Sequence, residues 1–284
     1  MVLLLDYIRL TSPRITLLVM LTGFIGMWIG SRGVLELSEV LWFLTAIALA
    51  SGGASVFNNY YDRDIDSLMK RTSQRPLACG RLNPHHALVL GILLSLVAFG
   101  IFFTFLNALS AMLAVSAIFG YSYIYTVVLK RTTPKATEIG GISGALPPVI
   151  GWAAAKGSLS IEAFILFAIM FLWQPPHFWS LGLRYKKDYQ NAHIPTMSVV
   201  YSETDTTIRS LIYVLLLIAI STLPFLTGMT GYVYFIISSL LGAIYVSFYG
   251  VALITKKDIN RQLFFYSIIY LSIIFISMVL DLKK

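Results

Sequence analysis

The sequence predicts an all-α, polytopic membrane protein with nine transmembrane helices in a single domain, residues 1–284. Three observations predict it. The chain is 57% hydrophobic and 12% charged, with a mean hydropathy of +0.79, and a soluble domain carries about twice that charged fraction. Apolar runs of roughly 20 residues recur along the whole length, each long enough to cross a bilayer as a helix. The cations are also sorted: with nine spans, 17 of the 21 Lys and Arg fall on one side and 4 on the other. Lys and Arg hold loops in the cytoplasm, which puts the N-terminus inside and the C-terminus outside. In lipid every backbone polar group must be satisfied within its own segment, so the spans are helices.

The elements follow in order. The first span, 14–31, has no small-residue cleavage site behind it, and Arg32 and Glu36 follow directly. "MVLLLDYI" is too apolar for a transit peptide, so neither kind of leader is expected, and a bacterial or archaeal inner (cytoplasmic) membrane is the expected location. The second span, 38–57, runs into the polar stretch "NNYYDRDIDSLMKRTSQRPL" at 58–77. The third and fourth cover 87–105 and 108–128; His85 and His86 start one, and Lys130 and Arg131 end the other. The fifth, 137–155, holds Gly140, Gly141 and Gly144, a spacing for close helix packing, and Pro147 and Pro148 should kink it. The sixth, 161–183, carries Pro175 and Pro176, which remove two donors and should break it near its cytoplasmic end. The last three, 208–227, 231–254 and 262–281, complete the bundle.

The net charge of +8 sits between apolar spans, so it reads as membrane topology and calls for no nucleic-acid partner. Cys79 is the only cysteine, which excludes an intrachain disulfide and a cysteine metal site. Outward loops are short, whereas two inward ones, about 58–86 and 184–207, are long. They hold Asp62, Asp64, Asp66, Asp188, Glu203 and Asp205, nearly half of the 13 acids. Long polar loops on one face of a compact bundle are where function usually sits.

Asn58, Asp62 and Asp66 stand at i, i+4 and i+8. If the second helix continues past Phe57, they form one stripe. Such a stripe repels itself unless a cation sits there, and Mg2+, which joins one or two carboxylates to substrate phosphates, is the natural candidate. Lys70, Arg71 and Arg75 follow and can neutralise a diphosphate, Arg in bidentate fashion. The competing reading is a solvated loop that neutralises itself. Against it stands the position of the stripe, at the end of an apolar helix.

"NNYYDRDIDSLMKRTSQRPL" resembles the N-x-x-x-D-x-x-x-D motif of the UbiA-type intramembrane prenyltransferases. "DRDID..M.RT..RPL..G", "LKRTTP", "IGGISGALPPVIGWAAAKG" (139–157) and "WQPPHFWSLGLRYKKDYQNAHIP" (173–195) are similar to that family's heme branch, the protoheme IX farnesyltransferases. The likeness runs from about Pro13 to Pro224. It implies nine helices around a central cavity and a Mg2+-dependent loss of diphosphate from farnesyl diphosphate. A vinyl group of protoheme (heme B) then attacks the allylic cation, and water completes heme O. Membrane lipid surrounds the enzyme, and a heme A synthase or an oxidase assembly factor is an expected protein partner. Such a cation needs a water-poor cavity. Aromatic faces can stabilise it, although the 14% aromatic content also suits a membrane interface.

Related enzymes carry a second motif, D-x-x-x-D. Here the corresponding stretch is "DYQNA", Asp188 to Ala192, with one carboxylate. That departure argues against relatives acting on quinone precursors. Asp188 is either a further metal ligand or a partner for Arg184, Lys186 and Lys187, and Arg184 and Lys187 are candidate diphosphate contacts. Lys130 and Arg131 are cytoplasmic anchors, and their loop shares a face with Asp62, so they are diphosphate candidates too. His177, flanked by Trp173, Phe178 and Trp179, either binds heme or packs in an aromatic belt; the resemblance favours heme. His193 stands where the branch has glycine and reads as local variation. A transporter would scatter ionisable residues through span centres and often show an internal repeat, and this chain does neither.

Overall fold

The computed structural model describes residues 2–283. Among them there is no β-strand, only an isolated bridge between Thr230 and Leu282. The helices are α1 (Val2–Leu10), α2 (Pro13–Gly30), α3 (Leu37–Tyr61), α4 (Arg63–Leu68), α5 (Pro84–Leu106) and α6 (Ala108–Thr132). They continue with α7 (Ala136–Gly144), α8 (Pro147–Lys156), α9 (Ile161–Arg184), α10 (Lys186–Asn191) and α11 (Met197–Val200). The chain ends with α12 (Glu203–Leu226), α13 (Tyr232–Thr255) and α14 (Asn260–Leu280). Successive long helices pack side by side, except that α6 reaches α9 through α7, and α14 returns to α2 and closes the ring.

Eight of these helices, α2, α3, α5, α6, α9, α12, α13 and α14, are long and apolar enough to cross a membrane. The ninth span expected from the sequence is divided. Residues 137–155 form α7 and α8, with the break at Ala145 and Leu146. Pro147 and Pro148 have no N–H to give and a φ already suited to a first turn, so they start a helix instead of continuing one. The predicted kink is a full break.

Pro175 and Pro176 do the opposite of what was expected: α9 runs unbroken from Ile161 to Arg184. Adjacent prolines remove only two rungs of the ladder. Both are buried, and side chains beside them pin the turn. Gln174 Nε2 donates to Gly141 O at 2.8 Å and to Met170 O at 3.3 Å, and Trp173 Nε1 donates to Ser267 O at 2.7 Å. In hydrocarbon a fully broken turn would leave more backbone groups unpaired than the prolines do.

Close backbone approach sets the centre of the bundle. A Cβ on Gly26 of α2 would land on the Pro148 backbone, and one on Gly151 of α8 would land on the Gly23 carbonyl. Gly140 lies against the Tyr125 ring and Gly144 against Gln174, so the small residues of α7 serve packing, as their spacing predicted. One segment was not anticipated. The first residues form α1, whose Leu3, Leu4, Leu5 and Ile8 are exposed while Asp6 is buried.

Candidate active site

The acidic stripe lies where α3 gives way to α4. α3 ends at Tyr61 and α4 begins at Arg63, so the two are separate helices. The joint at Asp62 is nevertheless tight. Asp62 N donates to Asn58 O at 2.9 Å, and Asp66 N donates to Asp62 O at 2.8 Å. Those i→i+4 bonds keep the stripe together across the joint, and Asn58, Asp62 and Asp66 are all buried, at 8%, 0% and 3% exposure.

The facing wall is the second half of α6. From Gly120 to Leu129 its backbone is π-helical. Wide turns of this kind are rare and usually short, and they cluster at functional sites. Thr126 Oγ1 bonds back to Tyr121 O at 2.8 Å and accepts from Asn58 Nδ2 at 3.1 Å. Tyr121 and Tyr125 stack at 5.6 Å. One turn on, Lys130 Nζ reaches Asp62 Oδ2 at 2.5 Å, and that oxygen also accepts from Asn58 Nδ2 at 2.9 Å.

Each acid of the stretch has its own cation. Lys130 pairs with Asp62, Arg131 grips Asp64 through two bonds of 2.8 Å, and Arg75 donates to Asp66 at 2.8 Å. Burial pushes the Asp62 carboxyl above the usual carboxylate range, although Lys130 opposes the shift. The exposed Asp64 moves the other way, held low by the Arg131 hydrogen bonds. One atom is left over: Asp62 Oδ1 is sealed from solvent and has no partner among the described residues. An unpaired buried carboxylate oxygen carries an uncompensated desolvation cost, which a cation would relieve.

The four residues named as metal ligands are not gathered into one set. Among the described residues, no three His, Cys, Asp or Glu side chains come together at metal-binding spacing. Asn58, Asp62 and Asp66 are brought together. Asp188 sits on α10 and accepts from Arg71 N at 3.3 Å. Two carboxylates with a free oxygen suit Mg2+, which completes its shell with water and phosphate oxygens. The donor set therefore fits that ion without Asp188.

Of the remaining cations, one from each long inward loop meets at Tyr185. Arg71 and Arg184 both lie over the Tyr185 ring, at 5.7 and 5.3 Å. Arg184, Lys187 and Asp188 border a surface hollow, and Lys70 is exposed nearby in sequence. The two loops are joined by a small apolar cluster of Ile65, Met69, Ala192 and Ile194.

The four residues named for heme divide between two faces of α9. His177 and Trp173 turn toward α14. The imidazole lies between Trp173 at 4.3 Å and Phe264 at 4.7 Å, and its Nδ1 is 2.7 Å from Ser267 Oγ. Phe178 and Trp179 turn toward a small cavity beside Lys130, shared with Tyr125, Tyr189 and Thr196. Trp179 packs edge-on against Tyr213 at 5.4 Å, and its buried Nε1 has no partner among the described residues.

Sequence reasoning missed Thr126, Ser267 and Asp6. Hydroxyls are common on membrane helices, so neither Thr126 nor Ser267 had a signal. Asp6 had one: it is a lone acid in an apolar segment. It is buried and held by Arg81 at 2.8 Å and Arg9 at 3.1 Å, with its carboxyl below the usual range because of Arg81.

Comparison with known proteins agrees with this architecture. The model of the UbiA prenyltransferase family matches residues 19–269. A curated protein of Aquifex aeolicus named protoheme IX farnesyltransferase is 45% identical over 98% of this chain and 96% of its own length. One of that name from Rickettsia akari is 44% identical over 95% and 89%. Among solved structures, a digeranylgeranylglyceryl phosphate synthase superposes with a TM-score of 0.83 over 99% of both chains at 17% identity. A UbiA homologue from Archaeoglobus fulgidus bound to GPP and Mg2+ superposes at 0.67, with 15% identity, over 96% of this chain and 99% of its own. Family match, near-full-length relatives and shared fold converge: the chain belongs to the UbiA prenyltransferase family.

Proposed function

We propose that this prenyltransferase moves a farnesyl group from farnesyl diphosphate to a vinyl group of heme B and so makes heme O. The near-full-length likeness to protoheme IX farnesyltransferases supports the choice of substrates. The observation that carries the chemistry is the buried Asp62–Asp66 pair with its unpartnered Oδ1, ringed by Lys130, Arg131 and Arg75.

Asn58, Asp62 and Asp66 would hold Mg2+, the ion that a UbiA homologue from Archaeoglobus fulgidus binds together with GPP; bound there, the ion would supply positive charge against the departing diphosphate. Lys130, Arg131 and Arg75 reach the same place and neutralise phosphate oxygens, which stabilises the leaving group. Arg71, Arg184, Lys187 and Lys70 give the approach to the site a positive field. Asp188 orders the second loop through the Arg71 backbone and is available to a second ion. The allylic C–O bond breaks, and the diphosphate keeps its electron pair. The vinyl terminal carbon then bonds to farnesyl C1. Water captures the cation left beside the porphyrin and gives up a proton. Tyr121 and Tyr125 face this region and can shield and stabilise the allylic cation. His177 and Trp173 on one face of α9, and Phe178 and Trp179 on the other, are the aromatic contacts assigned to heme.

The split of cations supports a cytoplasmic membrane location with the N-terminus and both long loops inside. The test is direct. Purified protein incubated with heme B, farnesyl diphosphate and magnesium should yield a porphyrin heavier by one farnesyl and one hydroxyl group. Asp62→Ala and Asp66→Ala should insert normally and make no product. Normal turnover in both would end the reading.

A further inference from the structure

Ser267 of α14 makes two contacts with the segment assigned to heme and one within its own helix. Its backbone carbonyl accepts the Trp173 indole N–H at 2.7 Å. Its hydroxyl lies 2.6 Å from Phe264 O and 2.7 Å from His177 Nδ1. The hydroxyl has one proton, and a carbonyl can only accept. If that proton pointed at His177, two acceptor oxygens would face each other at 2.6 Å with nothing between them. Both contacts are satisfied together in one arrangement only: Ser267 donates to Phe264 O, and His177 Nδ1–H donates to Ser267 Oγ. The imidazole is then the Nδ1–H tautomer, and Nε2 carries the lone pair.

The rest of the ring is enclosed. Trp173 covers one face at an interplanar angle of 20°, Phe264 covers the other at 26°, and Phe178 meets it edge-on at 5.2 Å. With both faces covered and Nδ1 engaged, an outside ligand can reach the ring only through Nε2, which has no hydrogen-bond partner among the described residues. A neutral imidazole with a fixed orientation and an open nitrogen is the form that ligates a metal, and the bond at its other nitrogen sets that form.

We infer that Ser267 is a positioning residue: it fixes His177 so that Nε2 is the axial ligand of the iron of the incoming heme. This rests on the function proposed above, for which heme is the acceptor. Ser267 touches no substrate. It acts by holding the tautomer and, through Trp173, the wall beside it.

Optical and electron paramagnetic titration of the purified protein with ferric heme B tests this, alongside binding of the unreactive analogue farnesyl thiodiphosphate. Wild type should show an imidazole-ligated spectrum. His177→Ala should lose that spectrum, and added imidazole should restore it. Ser267→Ala should weaken heme binding by about 10- to 100-fold, the usual effect of removing a partner behind a ligating histidine. Ser267→Thr, which keeps the hydroxyl, should recover most of it. Farnesyl thiodiphosphate should bind all four proteins equally. Unchanged heme affinity and spectrum in Ser267→Ala would overturn the inference, as would a parallel loss of both ligands, which marks a packing role. If wild type binds and farnesylates heme while the His177 and Ser267 variants keep its spectrum, this inference alone fails. If wild type binds no heme, the proposed function fails with it.

Discussion

Lys130→Met takes the bonded cation away from a carboxylate that has no access to water. Asp62 is 0% exposed and Lys130 17% in their side chains, with Nζ and Oδ2 2.5 Å apart. At an effective dielectric of about 20 that pair attracts by about 7 kcal/mol, before desolvation is subtracted. Truncating one partner of a buried pair costs about 3–5 kcal/mol, because the other charge is stranded. The Asn58 Nδ2 hydrogen bond and the more distant Arg131 charge remain to offset part of it. Against a total stability of roughly 5–15 kcal/mol, the variant should be severely weakened in EDTA. Magnesium should reverse much of this: an ion at about 100 times its dissociation constant returns about 2.7 kcal/mol. Lys130→Met/Asp62→Asn should also be more stable than Lys130→Met in EDTA, since the stranded charge is gone, and magnesium should not help it. Thermal unfolding in detergent, with EDTA or magnesium, reads all of these. Equal destabilisation of Lys130→Met with and without magnesium would refute the idea that Asp62 can trade an ammonium for a metal ion. No relief in the double variant would refute the stranded charge itself.

Three further outcomes follow from the structure. Gly151→Ala or Gly26→Ala places a methyl on neighbouring backbone, which cannot swing away as a side chain can; each should cost about 3 kcal/mol in thermal unfolding, at the upper end for overpacking. Asp6 has its folded pKa lowered by Arg81, so its contribution is present above the unfolded pKa, about 4, and is lost as pH falls through the lower folded value. Acidification through that window should expose the α1–α2 junction to proteolysis, Asp6→Asn should show that exposure at neutral pH, and a pH-independent cleavage pattern in wild type would count against the ion pair. Cys79 is free and exposed; an impermeant maleimide should label it only from the cytoplasmic side, and labelling from outside would reverse the orientation.

Much of this was legible in the chain because membrane folding is local. Each span satisfies its own backbone, so the eight continuous helices could be read from apolar runs alone. The acidic stripe was legible for the same reason: Asn58, Asp62 and Asp66 are one helical turn apart. Proline was the least reliable sign. Pro147–Pro148 ended a helix and Pro175–Pro176 did not, and what separates them is tertiary. The first pair starts a helix driven against α2, whereas the second is held in line by Gln174 and Trp173 bonding to α7 and α14. The partners were hidden too. Lys130 lies 68 residues from Asp62, and Ser267 lies 90 from His177; no spacing rule reaches that far. The π-helical turn that aims Thr126 and Lys130 at Asp62 has no sequence signal.

The pairing at the site bears on how a diphosphate can enter at all. Asp62, Asp64 and Asp66 face Lys130, Arg131 and Arg75 one to one, so the site is neutral as it stands. Three carboxylates, two of them buried, would repel an anionic substrate without these cations, and the cations without the acids would bind any phosphate. Together they make binding conditional. A diphosphate alone would have to take the cations and strand the acids; a metal ion alone would have to displace the cations into a positive neighbourhood. When both arrive, each cation can turn to a phosphate oxygen as its carboxylate turns to the metal, and no charge is left unpaired at any stage. The unpartnered Oδ1 of Asp62 gives that exchange a starting point, because it can accept an ion before Lys130 lets go of Oδ2. Diphosphate affinity should therefore depend steeply on magnesium in wild type. In Asp62→Asn/Asp66→Asn it should be stronger without metal and indifferent to it.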